Sequence, residues 1–413
     1  QRMPDLDRNG RLLLLDKGLR SFAFGLNAVT LGLYLASLGL PTERIGWVLS
    51  SALLGTLALT LMVTFWGDRL GRRRFLIAGA LLMGLSALIP VVGADPALLA
   101  ILGLSGMVAV TSNEATGLQS LDQAVLPQTV PPEQRTRAFA LYNVGAVSAS
   151  AGGSLAAGLL PQFASSAGFG GPSSYVPAFL LYAITGLAAA AVALPLDRRI
   201  EVGAPVMRGL AIHRSRGMVA RLSVLFGLDA LAGSFVVQSF LAYWFTERFG
   251  ADPALLGATF LAAGLLAAAS FPVASWISER IGLIQTMVLT HIPANLFLIA
   301  TALAPVLPLA LFFFLARAAL SSMDVPARQS YTMAVVDPEE RTASAGVTSL
   351  ARSVAQVPGP ALAGLLLVPL GIGVPLIAAG VLKIIYDLAL FASFRGRPAP
   401  EEIARRLTSP DRS

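Results

Sequence analysis

Gly67-Asp68-Arg69-Leu70-Gly71-Arg72-Arg73-Arg74 stands between two apolar runs, residues 45–66 and 74–93. Each run is roughly twenty residues long, which is the length an α-helix needs to cross a hydrocarbon core about 30 Å thick. Four arginines and an aspartate within eight residues resist entry into that core, so they mark a short loop at its surface. The same alternation continues outward in both directions. Residues 15–38, 45–66, 74–93, 97–124, 137–161, 175–195, 219–246, 254–277, 283–303, 306–333, 341–368 and 372–394 read as twelve membrane-spanning helices. The fold class is therefore an all-α integral membrane protein.

Composition leads to the same place. Of 413 residues, 55% are hydrophobic and 13% charged, about half the charged share of an ordinary soluble domain. Cysteine is absent and the two histidines, His213 and His291, are too few for a metal cluster, so no metal and no cofactor are expected. The net charge of +7 suggests nucleic acid until the basic residues are placed. With the N-terminus inside, the outer side keeps Arg44 and Arg248, while the inner side collects Arg69, Arg72, Arg73, Arg74, Arg135, Arg137, Arg198, Arg199, Arg214, Arg216 and Arg395. That asymmetry is the positive-inside rule; it predicts an inner (cytoplasmic) membrane protein with both termini cytoplasmic, touching anionic lipid and not nucleic acid. No signal peptide is expected, because the run Leu12–Leu15 is short and the apolar stretch after it continues at spanning length.

The chain repeats itself. A shift of 206 residues lays Pro132-Glu133-Gln134-Arg135-Thr136 on Pro338-Glu339-Glu340-Arg341-Thr342, and Ala157-Gly158-Leu159-Leu160 on Ala363-Gly364-Leu365-Leu366. A shift of 211 lays Gly67-Asp68-Arg69-Leu70-Gly71 on Ser278-Glu279-Arg280-Ile281-Gly282 and pairs Asn27 with Gln238. Two registers in one order imply duplicated six-helix halves. The expected organisation is an N-terminal bundle over 1–196, a cytoplasmic linker over 197–218 and a C-terminal bundle with a cytoplasmic tail over 219–413.

With twelve spans and a weaker second copy at Glu279, the segment Gly67 to Arg74 resembles the loop signature of the major facilitator superfamily. The resemblance covers the chain apart from its tails and central loop. It implies two pseudo-symmetric bundles with a substrate site between them near the midplane, and transport by alternating access.

An ionisable group inside the membrane costs at least about 2.5 kcal/mol on insertion scales, so each one needs a partner, water or a function. Counting from the span ends places Asp229, Arg317 and Arg352 near the midplane, with Glu114 and Asp324 between it and the cytoplasm. The resemblance implies that Asn27, Glu114, Asp229, Gln238, Arg317, Asp324 and Arg352 can face the cavity. Arg317, Asp324 and Arg328 share one helical stripe and are expected to form a salt-bridged column. Asp229 or Glu114 is read either as a proton-accepting carboxylate or as a member of a fixed ion pair; Asp324 with Arg328 is the plainer case of the latter. Arg352 and Gln356, one turn apart, join Arg317 as candidates for holding a carboxylate or phosphate. Asn27 and Gln238 are read either as substrate contacts or as hydrogen bonds between helices. His291, Lys383 and Asp387 fall on spans that the superfamily places at the periphery and are expected to be structural. Tyr243 and Trp244 fit either a cap on the substrate path or an interfacial belt.

For the loops, the resemblance assigns Gly67, Asp68, Arg69, Gly71 and Arg72 to a cytoplasmic gate. Asp68 would face the N-terminus of span eleven near Arg341, with a mirror contact from Glu279 and Arg280 toward Arg135. Gly145, Gly152, Gly153 and Gly158 predict a small-residue face on span five, and Pro358-Gly359-Pro360 a break in span eleven. Ser148-Ala149 replaces the glycine–proline pair that many drug–proton antiporters carry, and span four lacks their arginine.

The leading expectation is a monomeric secondary transporter exporting small amphipathic organic molecules in exchange for protons. The alternatives are uniport or symport of an organic anion or zwitterion, and a non-transporting receptor or lipid-handling scaffold. No nucleotide-binding loop and no nucleophile–base constellation points to an enzyme.

Overall fold

The computed structural model describes residues 5–395 apart from 89, 91–94, 112–116, 132–133, 198–199, 202–213 and 338–339. All regular structure among the described residues is helical. The first part of the chain forms α1 (Arg8–Ser37), α2 (Thr42–Leu70), α3 (Arg72–Ser86), α4 (Pro96–Leu104), α5 (Gly117–Val125), α6 (Arg135–Ser166) and α7 (Val176–Ala193). The second part forms α8 (Arg216–Ser234), α9 (Gln238–Phe249), α10 (Pro253–Ile281), α11 (Leu283–Leu303), α12 (Leu307–Ser321), α13 (Asp324–Ala334), α14 (Arg341–Gln356), α15 (Gly359–Leu362) and α16 (Val374–Phe394). Ten stretches among the described residues are long and apolar enough to cross a membrane. The third and fourth expected spans correspond to α3, α4 and α5, around residues 91–94 and 112–116.

Three spans that hydropathy reads as continuous are interrupted. Phe235 to Val237 separate α8 from α9, and Ser322 and Met323 separate α12 from α13. The expected break at Pro358-Gly359-Pro360 is present, followed by a π-turn over Ala363–Leu367. Backbone freed inside a membrane must find partners within the protein, so such breaks occur where protein encloses them.

The chain divides into two compact units. One comprises residues 1–206, 237–265 and 360–369; the other comprises 207–236, 266–359 and 370–413. In the first, α1 is the hub, packing on α6, α7 and α9. Its approach to α6 is close because small residues meet: a Cβ on Gly25 would lie 1.9 Å from the Ser150 carbonyl oxygen, and one on Gly153 2.0 Å from that of Phe22. Without the entropy of water to drive them together, membrane helices associate through such packing. Gly158 likewise opposes Gly257 at 2.9 Å from its notional Cβ, whereas Gly145 meets nothing within 4 Å. The expected glycine face on α6 is therefore real at Gly153 and Gly158 and absent at Gly145.

In the second unit α8 packs on α14 and α16, and α11 packs on α12, α13 and α16. Leu222, Phe226, Met287, Tyr331, Tyr386 and Leu390 form its apolar core. Outward residues such as Val224 and Leu289 are 72% and 62% exposed, as expected of surfaces that lipid covers.

The repeat is visible in backbone detail. Gly71, between α2 and α3, has φ +103°, and its counterpart Gly282, between α10 and α11, has φ +97°. Side chains other than glycine rarely adopt that region. Gln134 accepts the Asp5 amide at 2.7 Å, and its counterpart Glu340 accepts the amides of Arg214 and Ser215 at 2.9 Å each. Each half thus ties the approach to its first helix to the start of its fifth.

Candidate functional site

Asp229 is the centre of the second unit's polar interior. It lies on α8 with its side chain 4% exposed, which is untenable for a carboxylate in an apolar medium without counter-charges. Three helices supply them. Arg352 on α14 donates from Nη1 to Oδ2 at 3.0 Å, Arg328 on α13 approaches the same oxygen at 3.4 Å, and Lys383 on α16 bonds Oδ1. Arg328 also holds Asp324 at 2.8 Å, one turn away on α13, and lies 5.7 Å from the Phe226 ring centroid. Arg352 is the most open of these cations, with a quarter of its side chain exposed.

Arg317 on α12 is half-buried and electrostatically coupled to Asp229, and its buried Nε has no hydrogen-bond partner among the described residues. Ser322 and Met323 separate its helix from that of Asp324 and Arg328, and within the expected three-residue column the ion pair described is Asp324 with Arg328. Gln356 ends α14, one turn beyond Arg352, and is half-buried. Lys383, expected at the periphery, instead reaches Asp229 directly. Its signal in the sequence was the expense of a lysine within an apolar span. Beside it, His291 and Asn295 on α11 both contact Asp387 on α16.

The remaining candidates fall in the first unit. Asn27 donates from Nδ2 to the Ala109 carbonyl at 3.0 Å, a bond between packed segments. Gln238 begins α9 and lies 3.5 Å from the Ser154 hydroxyl. Its neighbour Ser239 donates to the Ala28 carbonyl at 2.7 Å, so the positions paired by the repeat, Asn27 and Gln238, belong to one unit. Trp244 is fully buried against Phe245 and Phe249 and so is enclosed by protein, not part of a lipid-interface belt.

A second buried charge cluster, which sequence reading passed over, lies in this unit. Arg20 on α1, fully buried, bonds Asp16 from Nε at 2.9 Å and Asp122 on α5 from Nη2. Tyr142 on α6 donates to Asp122 at 2.9 Å, and Lys17 lies 5.1 Å from the Tyr142 ring centroid. Asp16, Lys17 and Arg20 fall near the start of the first span, where charges read as ordinary end residues; Asp122 had no visible partner in sequence.

At the loop signature, Gly67 is buried, with the notional Cβ 3.3 Å from Val63 and Leu121, and Arg69 is exposed. Glu201 accepts the amides of Arg72 at 2.7 Å and Arg73 at 3.2 Å, capping α3 with a negative charge. Arg135 begins α6 and donates to the Pro127 carbonyl at 3.3 Å, and Arg280 stacks 3.8 Å over the Trp276 ring. Glu114 and the side chains of Asp68, Glu279 and Arg341 lie outside the described residues.

A profile described as Major Facilitator Superfamily matches residues 18–355 and 222–410. An uncharacterized membrane protein of Saccharomyces cerevisiae is 26% identical over 94% of this chain and 94% of its own length. A bacterial homolog of the human lysosomal transporter Spinster shares the fold with a TM-score of 0.69 at 17% identity, covering 95% of this chain and 100% of that one. A D-xylose-proton symporter gives 0.68 at 16% identity, over 95% and 98% of the two chains.

Proposed function

This chain belongs to the major facilitator superfamily, and we propose that it is a secondary transporter whose cargo is a small organic anion or zwitterion, moved by alternating access together with protons. The single observation that carries the reading is the charge excess around Asp229. Among the described residues, Arg317, Arg328, Arg352 and Lys383 stand as four cations against the three carboxylates of Asp229, Asp324 and Asp387. A buried excess of positive charge is costly unless an anion arrives to share it. Guanidinium groups suit that role because their fork matches carboxylate and phosphate geometry. Arg352, partly open, and Arg317, with a donor unused among the described residues, are the groups that would receive it.

Proton-exchanging export of amphipathic molecules, expected from general resemblance, finds no preference in this cluster for a cation or a neutral amphiphile. Symport or uniport of an anion is the better match. The likeness in fold to a D-xylose-proton symporter fits proton coupling without specifying this cargo. The Lys/Arg asymmetry supports an inner-membrane location with both termini cytoplasmic.

Thermal-shift screening of the purified protein against organic carboxylates and phosphates, then counterflow in proteoliposomes, tests the reading. An anionic ligand should stabilise the protein. Arg317→Ala or Arg352→Ala should weaken its binding at least about tenfold, equivalent to roughly 1.4 kcal/mol, while Asp229→Asn spares it. Stabilisation by cations or neutral amphiphiles alone, with both arginine variants unchanged, rules the reading out.

A further inference from the structure

The two copies of the repeated loop share more than their glycines. The 211-residue shift that pairs Gly71 with Gly282 also pairs Phe65 with Trp276, Arg69 with Arg280 and Leu70 with Ile281. All six of these side chains are exposed, Phe65 at 47% and Trp276 at 53%. An exposed ring thus precedes an exposed arginine by one helical turn at the end of α2, and again at the end of α10, which puts the two on one face. A ring at the end of a span sits at headgroup depth, where its apolar body meets hydrocarbon and an arginine beside it reaches the phosphates.

The second copy shows the pairing in contact. The Arg280 guanidinium carbon lies 3.8 Å from the centre of the Trp276 ring, which is van der Waals distance with the cation over the π face. The indole covers one side of the guanidinium and limits its rotation, while the edge that carries the N–H donors stays open. A guanidinium edge is a planar fork that matches two oxygens of one phosphate. The first copy carries more charge. Arg74 reaches back from α3 toward the Leu70 carbonyl at 3.5 Å, so it lies at the same helix end as Arg69. Trp66, 48% exposed, meets Phe65 edge-on at 6.1 Å between centroids and widens the aromatic surface.

We propose that each copy of the loop binds the headgroup of an anionic phospholipid from the surrounding leaflet. In the second unit Arg280 holds the phosphate and Trp276 borders the glycerol and the upper acyl chains. In the first, Arg69 and Arg74 hold the phosphate beside Phe65 and Trp66. The chemistry selects a lipid of net negative charge. A zwitterionic headgroup carries its own ammonium, which competes with the guanidinium for the phosphate, whereas phosphatidylglycerol carries none. Diffuse attraction to an anionic leaflet would draw every arginine on this side alike; the ring beneath Arg280 distinguishes it.

This site lies beyond the transport reading, and its test needs neither cargo nor turnover. Of the four tryptophans Trp244 is enclosed by protein, so Trp47→Phe with Trp66→Phe leaves Trp276 as the one that lipid touches. In phosphatidylcholine nanodiscs with a minor share of acyl-brominated lipid, bromine in contact with the indole quenches its fluorescence; adding Trp276→Phe gives the Trp244 background to subtract. Brominated phosphatidylglycerol should associate with Trp276 about fivefold more strongly than brominated phosphatidylcholine, the ratio equivalent to about 1 kcal/mol for one basic residue at an anionic surface. Arg280→Gln should bring the ratio to one. Arg216→Gln, at an exposed arginine that starts α8 in the same unit, should leave it in place. Trp47→Phe with Trp276→Phe, which leaves Trp66, should show the same preference, lost when Arg69→Gln and Arg74→Gln are added. Equal quenching by the two lipids at either ring overturns the proposal. So does a preference that survives Arg280→Gln, or one that falls as far with Arg216→Gln, which marks diffuse surface charge. Inorganic phosphate, matched to chloride in ionic strength, should leave the ratio unchanged; its release of the lipid would make the site one for free phosphate and overturn the assignment. None of these outcomes bears on anion binding at Arg317 and Arg352.

Discussion

Arg20 in the first unit lies between two aspartates, whereas Asp229 in the second lies among three cations. The two clusters share one construction. Each joins the first helix of its half to the helix that carries the fourth span, Arg20 to Asp122 and Asp229 to Arg328, with the charges exchanged. Each then takes a further group from the fifth, Tyr142 in one case and Arg352 in the other. Their balance differs. Among the described residues Asp16 and Asp122 offset Arg20 and Lys17 in the first cluster, whereas the second keeps a surplus of positive charge and its Arg352 is partly open. Duplication supplied two similar ion-pair sites, of which the neutral, sealed one suits holding helices together and the unbalanced one suits a visiting anion.

The largest effect should come from breaking the sealed cluster. Arg20→Ala strands Asp16 and Asp122 in the interior and should cost about 3 to 5 kcal/mol, read as a collapse in thermal stability in detergent. A triple replacement of Arg20, Asp16 and Asp122 by apolar residues of similar size should recover much of it. Should Arg20→Ala leave stability intact but abolish transport, the assignment of a holding role to this cluster is wrong.

Next come the paired glycines at the repeated loop. Gly71→Ala and Gly282→Ala each force a side chain into a positive-φ backbone, costing about 1 to 3 kcal/mol. At Gly71 the added Cβ would also stand 3.1 Å from the Glu201 carboxylate that caps α3. A melting temperature unchanged in both variants would show that the positive-φ turns carry no such cost. The smallest effect is expected at Gly145, where an added methyl meets nothing. Gly145→Ala should be neutral, or stabilising by up to about 1 kcal/mol through helix propensity. Measured against it, Gly153→Ala should lower the melting temperature, since its methyl would collide with the Phe22 carbonyl.

Much of the architecture was legible before any coordinates. Span length, loop charge and the 206- and 211-residue shifts depend on local composition, and Gly71 and Gly282, paired by the shift, share a positive φ. Of the interior charges, Asp229, Arg317 and Arg352 were recognisable by their cost in an apolar span, and Asp324 with Arg328 by helical spacing. Lys383 was read as structural because its span was expected at the periphery, and Arg20, near a span end, carried no signal that singled it out.

What the sequence determined alone is the membrane as solvent, the helical class, the duplication and the set of residues too expensive to be idle. Hydropathy and periodicity are sums over neighbours in the chain, and those features are local. Which charges meet was decided by tertiary structure. A carboxylate's partners come from three other helices, up to 154 residues away in the case of Lys383 and Asp229. Hydropathy also could not show that α12 stops before Asp324, because a break in mid-span depends on backbone partners outside the span.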